Sequence, residues 1–148
     1  MSLPAAKDPP AAFLRQPLTW GVAWVGWFTA LAIMSSMSQP GPRIDVIGFD
    51  KVVHTGYFAL GGICLALALA LRRAVGAAAT VRPRWGRIAV AVILTGAAVG
   101  WLDEWYQSYT PGRNGLDFYD WLADVLGSVL AYPMARLIFR RDPGPERI

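Results

Sequence analysis

The feature that most constrains the fold is a run of twenty residues, Leu18 to Met37, without one charged side chain. A transmembrane helix needs about 20 mainly apolar residues to cross the hydrocarbon core. Three further stretches of similar length follow. One runs from Asp50 to Leu71, where Arg72 and Arg73 are expected to stop the helix; the others run from about Gly86 to Gln107 and from about Phe118 to Phe139. Together they occupy most of the 148 residues, leaving no room for a separate soluble domain. Composition agrees: 55% of the residues are hydrophobic and 16% charged, against roughly 45–50% and 25% in soluble chains. The expected fold is all-α, a polytopic four-transmembrane-helix bundle over residues 17–141, with neighbours antiparallel because the connections are short. Residues 1–16, rich in Ala and Pro, and residues 142–148 read as flexible tails. The first apolar stretch is too long for a signal peptide and lacks a small-residue cleavage site, so it reads as a retained helix. The single Cys64 excludes an internal disulfide framework and a cysteine-based zinc site.

Charge divides between the two ends of these helices. The basic side, made of the tails, the loop between the second and third stretches and the helix ends that adjoin them, carries eleven Lys and Arg against three acids. The other end carries Arg43, Lys51 and Arg113 against seven acids. By the positive-inside rule the basic end, with both termini, belongs in the cytoplasm of a cell whose inner membrane the chain crosses. The arginines are then explained by topology and anionic lipid, and nucleic acid is not an expected partner. The acids gather at the outer face.

At about 100° per residue, each of three helices carries a polar patch at its outer end that continues inward as small residues. Asp50, His54, Tyr57 and Gly61 share a face of the second helix; Gly96, Gly100, Asp103, Glu104 and Gln107 share one of the third; Asp117, Asp120, Asp124, Gly127 and Ser128 span one side of the fourth. Small residues let membrane helices approach closely, so the three patches are expected to converge beneath the outer surface. Asp50 and Asp117 stand at helix starts, where capping accounts for an acid as well as a site does. Lys51 has snorkelling as its plain explanation, and Tyr57 reads first as a packed interfacial aromatic. Asp103 and Glu104 resist such readings: they lie at a helix C-terminal end, where the dipole disfavours negative charge. Something should neutralise at least one of them, and Arg113, Lys51 and His54 are the available partners. Asp124, about two turns into its helix, has the same need. His54 is either a structural histidine bonded to a carboxylate or a proton acceptor or metal ligand. No ligand spacing specifies a metal, and neither a metal site nor a cofactor is assigned. Arg113, held between the turn formers Pro111-Gly112 and Asn114-Gly115, either clamps a phosphate or carboxylate or pairs with Glu104 or Asp117. Trp20, Trp24 and Trp27 share a face of the first helix that meets lipid or another subunit.

In this order and spacing, Asp50-Lys51-x-x-His54-x-x-Tyr57, Leu60-Gly61, Asp103-Glu104-x-x-Gln107, Pro111-Gly112-Arg113 and Asp120-x-x-x-Asp124-x-x-Gly127 resemble the VanZ-like family. That family is named for an accessory membrane protein of glycopeptide (teicoplanin) resistance. The resemblance runs from Asp50 to about Tyr132 and implies a small polytopic membrane protein of the cell envelope in which these polar positions carry the function. Asp124 departs from the pattern, in which asparagine is usual there.

Three functions follow as expectations. The first is a non-enzymatic protein whose outer-face site (Asp50, Lys51, His54, Tyr57, Asp103, Glu104, Gln107, Arg113, Asp120 and Asp124) binds a lipid headgroup, a lipid-linked cell-envelope precursor or an amphipathic antibiotic. The second is a membrane hydrolase or transferase acting on a lipid-linked phosphate or ester, with His54 or Glu104 as catalytic base and Lys51 and Arg113 stabilising negative charge. The third is a structural ion-pair network supporting a partner or an oligomer. Binding needs an open cavity with apolar walls below the charges; the network needs every charge paired and no cavity.

Overall fold

The computed structural model describes residues 12–38, 47–76 and 83–141. It contains four long helices and, among the described residues, no strand: α1 (Pro17–Ser35), α2 (Phe49–Gly76), α3 (Trp85–Gln107) and α4 (Phe118–Arg141). Each is long and apolar enough to cross a membrane, so the chain is a multi-pass, all-α membrane protein. Large apolar side chains such as Val22, Val25, Ile33, Val90, Leu94, Leu130 and Leu137 point outward. In water such a surface would be untenable, whereas in lipid it is the expected outer face.

Several boundaries differ from the sequence reading. Arg72 and Arg73 do not stop α2, which continues to Gly76. Arginine is a good helix former, so a pair of them need not end a helix. Helix α1 stops at Ser35, two residues early, with the N–H of Ser36 closing the last turn on Ala32 and Ile33. The end of the first tail is ordered: Ala12–Arg15 form a 3₁₀ turn. Thr19 Oγ1 and Trp20 Nε1 donate to the carbonyls of Phe13 and Leu14 and fasten that turn to α1. Residues 1–11 and the tail 142–148 lie outside the described residues. Pro133 sits within α4, a position tolerated in a membrane bundle where neighbouring helices hold the freed backbone.

Pairings between named residues fix the directions. Lys51 meets Asp120, His54 meets Asp124 and Gly62 faces Ala131, so α2 and α4 run parallel. This pair shares the most extensive interface in the bundle. Gly96 meets Ser128 and Gly100 meets Asp124, so α3 runs antiparallel to α4. Ile63, Ala66, Leu67, Ala70, Ile88, Val92, Ala131 and Ala135 form the core of the basic half. A second cluster, Trp27, Leu31, Phe58 and Val99, lies nearer the acidic end.

The tryptophan face of α1 is turned inward, against the expectation that it meets lipid or another subunit. Trp27 is buried and packs in the space left by Gly61. Its indole N–H donates to the carbonyl of Tyr57 (2.9 Å), while the Tyr57 hydroxyl donates to the carbonyl of Trp27 (2.9 Å). The reason is chemical. A tryptophan N–H in hydrocarbon needs an acceptor, and the missing side chain at Gly61 gives the ring a place to reach one.

Candidate functional site

The polar ends of α2, α3 and α4 meet at one end of the bundle in two adjoining groups. The first surrounds Lys51. Its Nζ lies 2.6 Å from Asp120, 2.8 Å from Asp50 and 3.4 Å from Asp117. Lys51 therefore neutralises a carboxylate cluster, which snorkelling alone does not describe. Asp50 is the exposed rim of this group and is not an N-cap: α2 starts at Phe49, after Gly48 in the left-handed region (φ 78°). Asp117 is a cap, accepting the backbone N–H groups of Tyr119 (2.8 Å) and Asp120 (3.3 Å). Slight burial pushes the Asp117 carboxyl up, but those two N–H groups and Lys51 outweigh it, and the net effect is a value below the ordinary one.

One turn deeper, His54 Nδ1 lies 2.9 Å from Asp124 Oδ1, and its Nε2 faces Asp120 Oδ1 at 3.9 Å. Asp124 is fully buried against Gly100 of α3. Glu104, only 1% exposed, accepts the backbone N–H of Asp117 through Oε2 at 2.8 Å. Its own carbonyl accepts the N–H of Leu116, which stitches the end of α3 to the start of α4. Glu104 Oε1 and Asp124 Oδ2 have no hydrogen-bond partner among the described residues.

The second group lies between α1 and the α3–α4 turn. Buried Asp103 accepts from the hydroxyl of Ser35 and from Gln107 Nε2 at 2.7 Å. Gln107 Oε1 in turn accepts from Arg113 Nε (3.2 Å) and Nη2 (2.5 Å). The cation expected to neutralise Asp103 or Glu104 directly, or to pair with Asp117, is thus one residue removed. Arg113 reaches Asp103 through the amide of Gln107, because the tight turn holds the guanidinium on the α1 side of α3. The turn is anchored by Thr110, whose hydroxyl donates to the Ser35 carbonyl at 3.0 Å, and by Gly112 at φ 80°.

An open cavity of about 150 Å³ lies beside these groups, with Leu31, Met34, Val53, Tyr57 and Phe58 as apolar walls and His54, Asp103, Gln107 and Arg113 as polar ones. A mainly apolar groove of about 250 Å³ runs alongside, between Phe28, Ala32, Val99, Leu102, Trp105 and Tyr106. Leu31 and Asp103 form the wall shared by the two spaces.

Of the ten site residues read from the sequence, nine lie in or against the two groups, and Tyr57 joins through the cavity wall. The face expected to unite Asp50, His54, Tyr57 and Gly61 is split: His54 turns to α4, whereas Tyr57 and Gly61 turn to α1. Ser35, Met34 and Thr110 were missed. The available signal was the polar run Ser35-Ser36-Met37-Ser38 ending an otherwise apolar helix. Comparison with models of known protein families finds no match, and comparisons with curated proteins and with solved structures find none that reaches significance.

Proposed function

We propose that this protein binds the anionic headgroup of an amphipathic molecule (a lipid, a lipid-linked envelope precursor or an amphipathic antibiotic) in the cavity under Arg113, with the apolar tail in the adjoining groove. The observation that carries this reading is the half-tethered Arg113. A guanidinium has five N–H donors; Nε and one Nη2 donor are fixed on Gln107, and no described residue accepts from Nη1. A charged fork held in place with spare donors suits a phosphate or carboxylate. The apolar floor of the cavity and the groove beyond Leu31 suit what such a headgroup is attached to. A volume of about 150 Å³ takes a benzene-sized group, hence a headgroup and not a whole lipid. The order of polar residues that resembles the VanZ-like family supports the same reading, with the acidic end of the bundle outside a cytoplasmic membrane and both termini inside.

Two features count against a closed structural network: the cavity itself, and two buried carboxylate oxygens without partners among the described residues. A hydrolase or transferase that works through a covalent intermediate would need a nucleophile beside His54. The hydroxyls nearest the cavity, Ser35 and Tyr57, donate to Asp103 and to the Trp27 carbonyl.

Native mass spectrometry of gently solubilised protein tests the proposal. Wild type should retain an anionic amphipathic molecule that folded Arg113→Ala and Met34→Trp variants lose. Equal retention in all three would refute it.

A further inference from the structure

His54, Glu104 and Asp120 each offer a ligand atom, and these atoms lie within 4.8 Å of one another. We propose that this trio, on the α4 side of His54, is a binding site for a divalent cation of the Zn²⁺ or Mn²⁺ class, with Asp124 as the positioning residue. The site shares His54 with the cavity wall, but the proposal does not rest on what fills the cavity.

Three observations converge. The first is the histidine's orientation. His54 Nδ1 is within hydrogen-bond distance of Asp124 Oδ1, a fully buried carboxylate. With the proton on Nδ1, the lone pair of Nε2 is presented to Asp120. Metal-binding histidines are held in this way, one nitrogen on a carboxylate and the other on the ion. The second is an apposition of acceptors. Nε2 then faces Asp120 Oδ1 at 3.9 Å with no proton between them, an arrangement that a cation relieves. A doubly protonated His54 would relieve it too, but would leave the third observation unexplained. That observation is Glu104, whose side chain is 1% exposed and whose Oε1 has no partner among the described residues. An acceptor so deep in a membrane protein needs a donor, a proton or a cation, and one ion between the three groups would serve this oxygen and the Nε2–Asp120 pair together.

The geometry is close to what an ion requires. Bonds of about 2.0–2.2 Å to nitrogen and oxygen place neighbouring donors about 3–4 Å apart, so a contraction of about an ångström completes the trio. One imidazole and two carboxylates suit zinc or manganese better than magnesium or calcium, which favour all-oxygen sets. Lys51 is the competitor, because its Nζ shares Asp120 Oδ1 at 2.6 Å. Its two other carboxylates, Asp50 and Asp117, can hold it when the ion takes Asp120.

The test uses the full chain in detergent, stripped with a chelator and titrated separately with ZnCl₂ and MnCl₂, with bound metal counted by elemental mass spectrometry. Wild type should bind one ion per chain, and electron spin-echo modulation of the Mn²⁺ form should show a directly coordinated imidazole nitrogen. Asp124→Asn should weaken binding about 10–100-fold, the range for second-shell partners, with the nitrogen coupling retained. His54→Gln should abolish that coupling, and Lys51→Met should tighten binding. Failure of wild type to bind a stoichiometric ion, or Mn²⁺ bound without nitrogen coupling, would overturn the proposal. So would unchanged affinity in folded Glu104→Gln and Asp120→Asn. If those variants do not fold, the wild-type spectrum decides alone.

Discussion

Asp124 of α4 fits so closely against Gly100 of α3 that a Cβ at position 100 would stand 2.7 Å from Asp124 Oδ2 and 2.9 Å from its Cβ. This contact sets the depth of the site. The absent side chain at Gly100 lets α3 and α4 approach, and that approach encloses a carboxylate which then orients His54. Small residues at a membrane-helix interface ordinarily serve packing; here the same gap accommodates an acid.

Gly100→Ala should therefore destabilise the bundle although alanine is the better helix former by about 1 kcal/mol. Overpacking typically costs about 1–3 kcal/mol, and the added methyl would meet the Cβ of fully buried Asp124 as well as its carboxylate. Gly86→Ala, at a position with nothing within 4 Å, is the control and should be neutral or slightly stabilising. Thermal unfolding in detergent measures both; a Gly100→Ala variant as stable as its control would contradict the packing described.

The four helices were legible because hydrocarbon imposes length and apolarity so strictly that a charge-free run such as Leu18–Met37 has few other uses. The polar ends were legible for the complementary reason that acids such as Glu104 and Asp124 are costly there. What stayed hidden was the partner of each. Helical periodicity places Gln107 on the face of Asp103 but says nothing of the turn that aims Arg113 at Gln107 and away from Glu104. Nor does it show that Gly61 leaves room for Trp27, which turned the tryptophan face inward. Ser35 was passed over because one hydroxyl ending an apolar helix looks the same whether it meets headgroups or, as here, Asp103.

Gln107 links an acid to a base, donating to Asp103 and accepting from Arg113. Gln107→Glu sets two carboxylates against each other and should lower stability by about 1–3 kcal/mol, the scale of a buried group left unsatisfied. Adding Asp103→Asn reverses donor and acceptor across the same contact and should restore much of the loss. A double-mutant cycle by thermal unfolding should give a favourable coupling of about 0.5–3 kcal/mol; additivity would show that the two side chains do not interact.

Orientation across the membrane is open to direct labelling. In a Cys64→Ala background, a cysteine introduced by Asn114→Cys on the exposed α3–α4 turn should react with a membrane-impermeant maleimide in intact cells. One introduced by Arg84→Cys at the exposed start of α3 should react only after permeabilisation. The reverse pattern would place the acidic end in the cytoplasm.

The most direct measurement of the central claim is photo-crosslinking from inside the cavity. A benzophenone amino acid replacing Met34, which lines the cavity, is irradiated in native membranes and the adduct mass determined. A second probe replaces Leu94, whose side chain is 65% exposed on the outer face of α3, and samples bulk lipid. The expected result is a discrete amphipathic adduct with an anionic headgroup at position 34, absent at position 94 and lost with Arg113→Ala. The same mixture of bulk lipids at both positions, unaffected by Arg113→Ala, would contradict a binding site beneath that arginine.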